Sequence, residues 1–88
     1  MTAVRVNIPT PLRSYTGGAP EVEASGASLA AVLDSLDARF PGIRFRVIDE
    51  QDKVRPHIKF FVGADLAESL DEPIGDADVH IICALSGG

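Results

Sequence analysis

The sequence predicts an α+β fold of the β-grasp kind, a mixed sheet of four to five strands with one main helix packed on one face. Three observations carry that prediction. Short runs in which apolar and polar residues alternate recur along the chain, the period of half-buried strands. One segment alone, Leu29 to Phe40, sets its apolar residues at clear helical spacing. Finally, 88 residues with 45% apolar content suffice for a single core. One amphipathic helix needs one apolar surface to cover, and alternating strands supply it.

The elements follow in order. Val4, Val6 and Ile8 alternate with Arg5 and Asn7, which predicts a first strand over residues 3–8. Pro9, Pro11 and Gly17-Gly18 bracket a connection to a second strand at Val22 and Ala24, a hairpin pattern. Ser28 stands as N-cap to a helix whose oily stripe is Leu29, Val32, Leu33, Leu36 and Phe40. Pro41-Gly42 stops it. Ile43, Phe45 and Val47 alternate with arginines and read as a third strand, ending in the polar turn Asp49-Glu50-Gln51-Asp52. Ile58 to Val62 is a further strand, Gly63-Ala64-Asp65 a turn, and Leu66 to Leu70 a short strand or helical turn. Pro73-Ile74-Gly75-Asp76 turns the chain into a last strand, Val79 to Ala84. In such a layout the first and last strands pair at the centre of the sheet. The expected division is a β-grasp domain over 1–84 and a flexible tail over 85–88.

Composition excludes several functions. A net charge of −5 with dispersed Lys and Arg argues against nucleic-acid binding, which needs clustered cations for phosphates. The longest apolar runs fall far short of a membrane span, and Met1-Thr2-Ala3 opens into a strand pattern rather than a signal peptide, so the expected location is cytoplasmic. Cys83 is the only cysteine and reads as a small core residue; no internal disulfide can form. His57 and His80 stand far apart without a carboxylate motif, so no metal site is expected. Asp49, Glu50 and Asp52, like Asp76 and Asp78, read as turn chemistry.

The ending is the unusual part. Leu85-Ser86-Gly87-Gly88 places a glycine pair and an α-carboxylate behind an apolar strand. Two glycines add nothing to bury and maximal backbone entropy, so they do little for stability. Their merit is thinness, because an extended Gly-Gly can thread a narrow tunnel that a branched residue would block.

That ending, on a β-grasp pattern of this length, resembles the MoaD/ThiS family of ubiquitin-like sulfur carriers, over nearly the whole chain. The run Ile8-Pro9-Thr10-Pro11-Leu12-Arg13-Ser14-Tyr15-Thr16-Gly17-Gly18, with Ala24-Ser25-Gly26 and Leu29-Ala30-Ala31-Val32-Leu33, is most similar to the family's cysteine-synthesis carriers. Pro73 to Val79 is similar to its acidic turn into the last strand, with Ala77 where glycine is usual. The family implies a protein cosubstrate rather than an enzyme. An E1-like adenylating enzyme of the MoeB/ThiF type would join Gly88 to AMP, consuming ATP, and a sulfur donor would displace AMP to leave a C-terminal thiocarboxylate. This chain carries no phosphate-binding loop of its own and no bound cofactor is expected, so activation falls to the partner. Gly88 would bear the sulfur, while Gly87, Ser86 and Leu85 thread the tail. The acceptor stays open: a molybdopterin precursor, a thiamin thiazole precursor, a specialised metabolite, or an aminoacrylate on a pyridoxal-phosphate-dependent cysteine synthase. In the last pathway a JAMM-type metallopeptidase would release the product. The same activated tail would also suit a ubiquitin-like protein modifier joined to lysines.

Parity suggests the docking surface. If Val79, Ile81 and Cys83 face the helix, Ile82 faces outwards. Phe61 has opposite parity to Ile58, Phe60 and Val62, and either Phe61 or the pair Phe60 and Ile58 is the exposed set; the candidate docking residues taken from this are Ile82 and Phe61, rimmed by Arg13.

Overall fold

The computed structural model describes residues 3–83. Its elements are β1 (Ala3–Asn7), a 3-10 helix (Thr10–Thr16), β2 (Glu21–Ser25), α1 (Leu29–Arg39), α2 (Ile43–Val47), β3 (Ile58–Val62), β4 (Asp65–Leu66) and β5 (Val79–Cys83). The predicted tail, Leu85 to Gly88, and its boundary at residue 84 lie outside the described residues.

The predicted hairpin is present, with β1 antiparallel to β2 and Val4 opposite Ala24. The two central strands are as expected: β1 runs parallel to β5, Val6 beside Val79, and β5 runs antiparallel to β3. The sheet order is β2-β1-β5-β3-β4. Alternation along β1 and β5 buries Val4, Val6, Val79 and Ile81 on one face. Against that face α1 lays its stripe of Leu29, Val32, Leu33 and Leu36, all buried, and Phe60 and Ile58 of β3 complete the contact.

The start of α1 is tied from two directions. Ser28 Oγ accepts the N–H of Ala31 at 3.2 Å, the N-cap expected from the sequence. The N–H groups of Leu29 and Ala30, which no helical carbonyl can reach, donate to the carbonyls of Glu72 and Leu70, both at 2.9 Å. Ile74 N–H donates to Ala27 O at 3.1 Å, and the Ile74 side chain is buried. The loop leading into β5 therefore caps the helix that supports β5.

Residues 43–47 correct the sequence reading: they form the short helix α2, not a strand. Ile43 and Val47, one helical turn apart, are both buried, whereas Phe45, which a strand would bury beside them, is 53% exposed. Asp37 Oδ1 accepts the N–H groups of Gly42 and Arg44 at 3.0 and 3.1 Å, which starts the turn. Arg44 then bridges Asp34 at 3.0 Å and Asp52 at 3.1 Å. These contacts come from α1 and a later turn, so they override the strand preference of an Ile-Arg-Phe-Arg-Val run. The other adjustment is smaller. After a two-residue link at Gly63-Ala64, β4 begins at Asp65 and ends at Leu66, a shorter strand than the sequence offered.

The acidic turn behaves as turn chemistry. Asp49 Oδ1 accepts the N–H groups of Lys53 at 3.0 Å and Gln51 at 2.8 Å. Those bonds, Lys53 first, together with the nearby Arg55 and Lys53 charges, hold its carboxyl below the ordinary aspartate value. A depressed folded pKa stabilises the fold above the unfolded value and loses that contribution as pH falls through the folded one. The stability gap between wild type and Asp49→Asn is therefore expected to be largest near neutrality. It should shrink as pH falls through the folded pKa, read by urea unfolding with a carboxyl NMR titration; a pH-independent gap would refute this.

Candidate functional site

Strand β5 leads the chain towards its C-terminus. It enters the sheet between two neighbours, Val79 beside Val6 on β1 and Val62 on β3, and stays paired with β3 to its end, where Cys83 lies opposite Ile58. The carboxyl-terminal segment thus departs from an interior strand of the sheet.

The face of the sheet away from α1 carries the docking candidates. Register places Asn7, His80, Phe61 and Leu66 in one row across β1, β5, β3 and β4. Asn7 Nδ2 and His80 Nδ1 are 2.9 Å apart, and the amide donates when Nδ1 carries no proton. In the next row Ile82, 43% exposed, stands opposite Lys59. Phe61 is half-buried and Leu66 exposed, so the face has an apolar centre spread over three strands. Sequence parity found Ile82 and Phe61. It missed Leu66, because only the pairing of β4 with Phe61 brings that residue to the patch.

Arg13 is set at the edge. Its Nε donates to Ile8 O at 3.0 Å, and it shares with Ile82, Ile81 and Cys83 a cleft of about 430 Å³ between β5 and the 3-10 helix. That helix starts at Pro9-Thr10-Pro11 and ends where Gly17, at φ 67°, turns with its N–H on Arg13 O. Phe61 does not border this cleft, so Arg13 rims the Ile82 end of the patch and not its Phe61 end.

Catalytic arrangements are not what these residues form. Among the described residues the side chain to side chain hydrogen bonds are Asn7–His80 and Arg44–Asp52, neither of which joins a nucleophile to a base. No group of three His, Cys, Asp or Glu side chains gathers in metal-binding range among them. Cys83 is half-buried against the core. No helix among the described residues is long and apolar enough to cross a membrane.

A five-stranded mixed sheet around one main helix, with the first and last strands side by side at its middle, is the ubiquitin-like β-grasp architecture. The chain belongs to the ThiS family, whose profile matches residues 6–88. It is 37% identical to sulfur carrier protein CysO of Mycobacterium tuberculosis over 97% of this chain and 98% of that protein. The crystal structure of Mycobacterium tuberculosis CysO superposes with a TM-score of 0.86 at 34% identity, covering 93% of this chain and 99% of the other. A CysO chain from the Amycolatopsis orientalis BexX/CysO complex gives 0.88 at 34% identity, over 97% and 99%. The fold and family expected from the sequence are therefore those found.

Proposed function

We propose that this chain is a sulfur carrier of the CysO kind, whose terminal Gly88 is adenylated by an E1-like partner and converted to a thiocarboxylate. The observation that carries the reading is the near full-length match to CysO, with a family match that runs through Gly87 and Gly88.

The chemistry explains the division of labour. A carboxylate oxygen is a poor leaving group, so the Gly88 carboxylate first attacks the α-phosphorus of ATP and releases pyrophosphate. Sulfide then attacks the acyl carbon of the adenylate, the C–O bond to AMP breaks, and the thiocarboxylate remains; with a persulfide donor the acyl disulfide first formed is cleaved by a thiol, which leaves as the disulfide of the donor. That group is ionised at neutral pH and nucleophilic without a base from this chain. The fold contributes a platform: the Phe61, Leu66 and Ile82 face, with Arg13 at its rim, docks a partner while Gly87 lets the terminus enter. The solved complex of BexX with CysO supports docking of a protein partner on such a carrier. Cysteine synthesis is the acceptor pathway that the similarity favours.

The test is intact-mass analysis after co-expression with the cognate adenylating enzyme and a sulfur source. Exchange of one oxygen for sulfur is expected, and its loss when Gly88 is deleted. No mass change with that enzyme, or diglycine-modified lysines on other proteins in its place, would overturn the reading in favour of a modifier.

A further inference from the structure

A second cleft, of about 380 Å³, shares Pro11 and Cys83 with the Arg13 cleft. Phe45 and Arg46 of α2, Arg55 and His57 of the segment before β3, and Leu12 and Cys83 line it. No acidic residue lines it, in a chain with 13 Asp and Glu against 8 Lys and Arg. Elsewhere Arg5 pairs with Glu21 and Arg44 with Asp34 and Asp52, while Arg13 and Arg39 donate to the backbone carbonyls of Ile8 and Glu23. Arg46 is exposed, and among the described residues it neither pairs with a carboxylate nor donates a hydrogen bond.

Arg55 is held ready. Its Nε donates to Phe45 O at 2.8 Å and its guanidinium lies 4.6 Å from the Phe45 ring centroid. Asp49 feels the Arg55 charge, but its Oδ1 already serves two backbone N–H groups. Among the described residues Arg55 forms no ion pair and its only side-chain hydrogen bond is made through Nε, which leaves its terminal nitrogens for a ligand beside the exposed Phe45 ring. Guanidinium forks match carboxylates in shape as well as charge, and an aromatic beside arginines is the composition of interface anchors.

We propose that this cleft is a docking site for a carboxylate-rich segment of the enzyme that takes in the C-terminal tail at activation. The proposal rests on the carrier reading above. Charge complementarity selects the partner's chemistry, and position selects the step. Cys83 lines the cleft, and the five residues beyond it span at most ~18 Å when extended. An enzyme gripping here holds the Gly88 carboxylate within that radius of Cys83. Together with the sheet face this gives two-point docking: apolar contact for affinity, and charge for approach and orientation.

The test measures thiocarboxylate formation and binding with the full chain and its purified adenylating enzyme, at about 50 and 300 mM salt, where screening differs strongly. Arg46→Glu is expected to raise KM and Kd ~10-fold or more, to leave kcat within about twofold, and to flatten the salt dependence, with Arg46→Gln intermediate. Arg46 is exposed and without an ion pair or side-chain hydrogen bond among the described residues, so both variants should melt with the wild type. Unchanged KM, Kd and salt dependence in Arg46→Glu, with wild type thiocarboxylated normally, would overturn the cleft assignment alone. If wild type is never thiocarboxylated the carrier reading fails, and the Kd comparison still decides whether the cleft binds this enzyme. In ¹⁵N spectra of the free chain, removal of Gly87 and Gly88 is expected to leave the Arg46, Arg55 and His57 amides in place. Shifts at all three would make the chain's own terminus the occupant and overturn the proposal.

Discussion

Replacing Gly26 by alanine is expected to lower the unfolding free energy by about 3 kcal/mol, the upper part of the range for overpacking. For a domain of this size that is a fall in Tm of roughly 12–24 °C. A Cβ at Gly26 would stand 2.6 Å from Val32 N and 2.7 Å from Ala31 C. These are backbone atoms in the first turn of α1, so no rotamer change relieves the contact. Moving the helix instead would pull Ser28 off the Ala31 N–H and Leu29 and Ala30 off the carbonyls of Glu72 and Leu70. Gly75→Ala makes the contrast: its φ of 59° carries left-handed strain, but nothing lies within 4 Å of the added atom. It should cost only ~1–2 kcal/mol. Thermal and urea unfolding followed by circular dichroism check both. A loss below that of Gly75→Ala would show that α1 can slide over the sheet.

Gly87→Val is expected to lower kcat/KM for thiocarboxylate formation by ~100-fold or more, the scale at which a misplaced reacting group costs rate. Melting temperature and Kd for the adenylating enzyme should stay at wild-type values. Grip and chemistry reside in different parts of the chain. The sheet face and the Arg46 cleft lie before residue 84 and are untouched by the change. What changes is the width of the chain one residue before the reacting carboxylate, where a β-branched side chain also restricts the backbone. Steady-state kinetics with isothermal titration distinguishes the cases. A proportional rise in Kd, with kcat unaltered, would instead place Gly87 among the docking residues.

Much of the scaffold was legible because its signals are local. Alternation marked β1, β2, β3 and β5, and the spacing from Leu29 to Leu36 marked α1 with its Ser28 cap. Parity along β5 was enough to expose Ile82, since a strand's side chains alternate whatever it pairs with. The failure at α2 has the same origin. Over five residues an Ile-x-Phe-x-Val run satisfies strand alternation, and Ile43 with Val47 also satisfies one helical turn. The choice between them belongs to Asp37, Asp34 and Asp52, which bind this segment from elsewhere in the chain. That error hid Phe45 and Arg46, so the second cleft could not be seen from the sequence. Leu66 was hidden because a two-residue strand has no periodicity to read.

By itself the sequence determined the β-grasp class, the hairpin and main helix, and the family, because periodicity, caps and motifs depend on neighbours in the chain. It also specified the Gly87-Gly88 ending, on which the proposed chemistry depends. Tertiary structure alone decided that residues 43–47 turn into a helix and that Leu66 joins Phe61. It also brought Arg46, Arg55 and His57 together beside Cys83. Each of those outcomes rests on groups outside the segment itself, from five residues away to more than twenty, meeting at a few ångströms, where one carboxylate or one strand partner outweighs a five-residue preference.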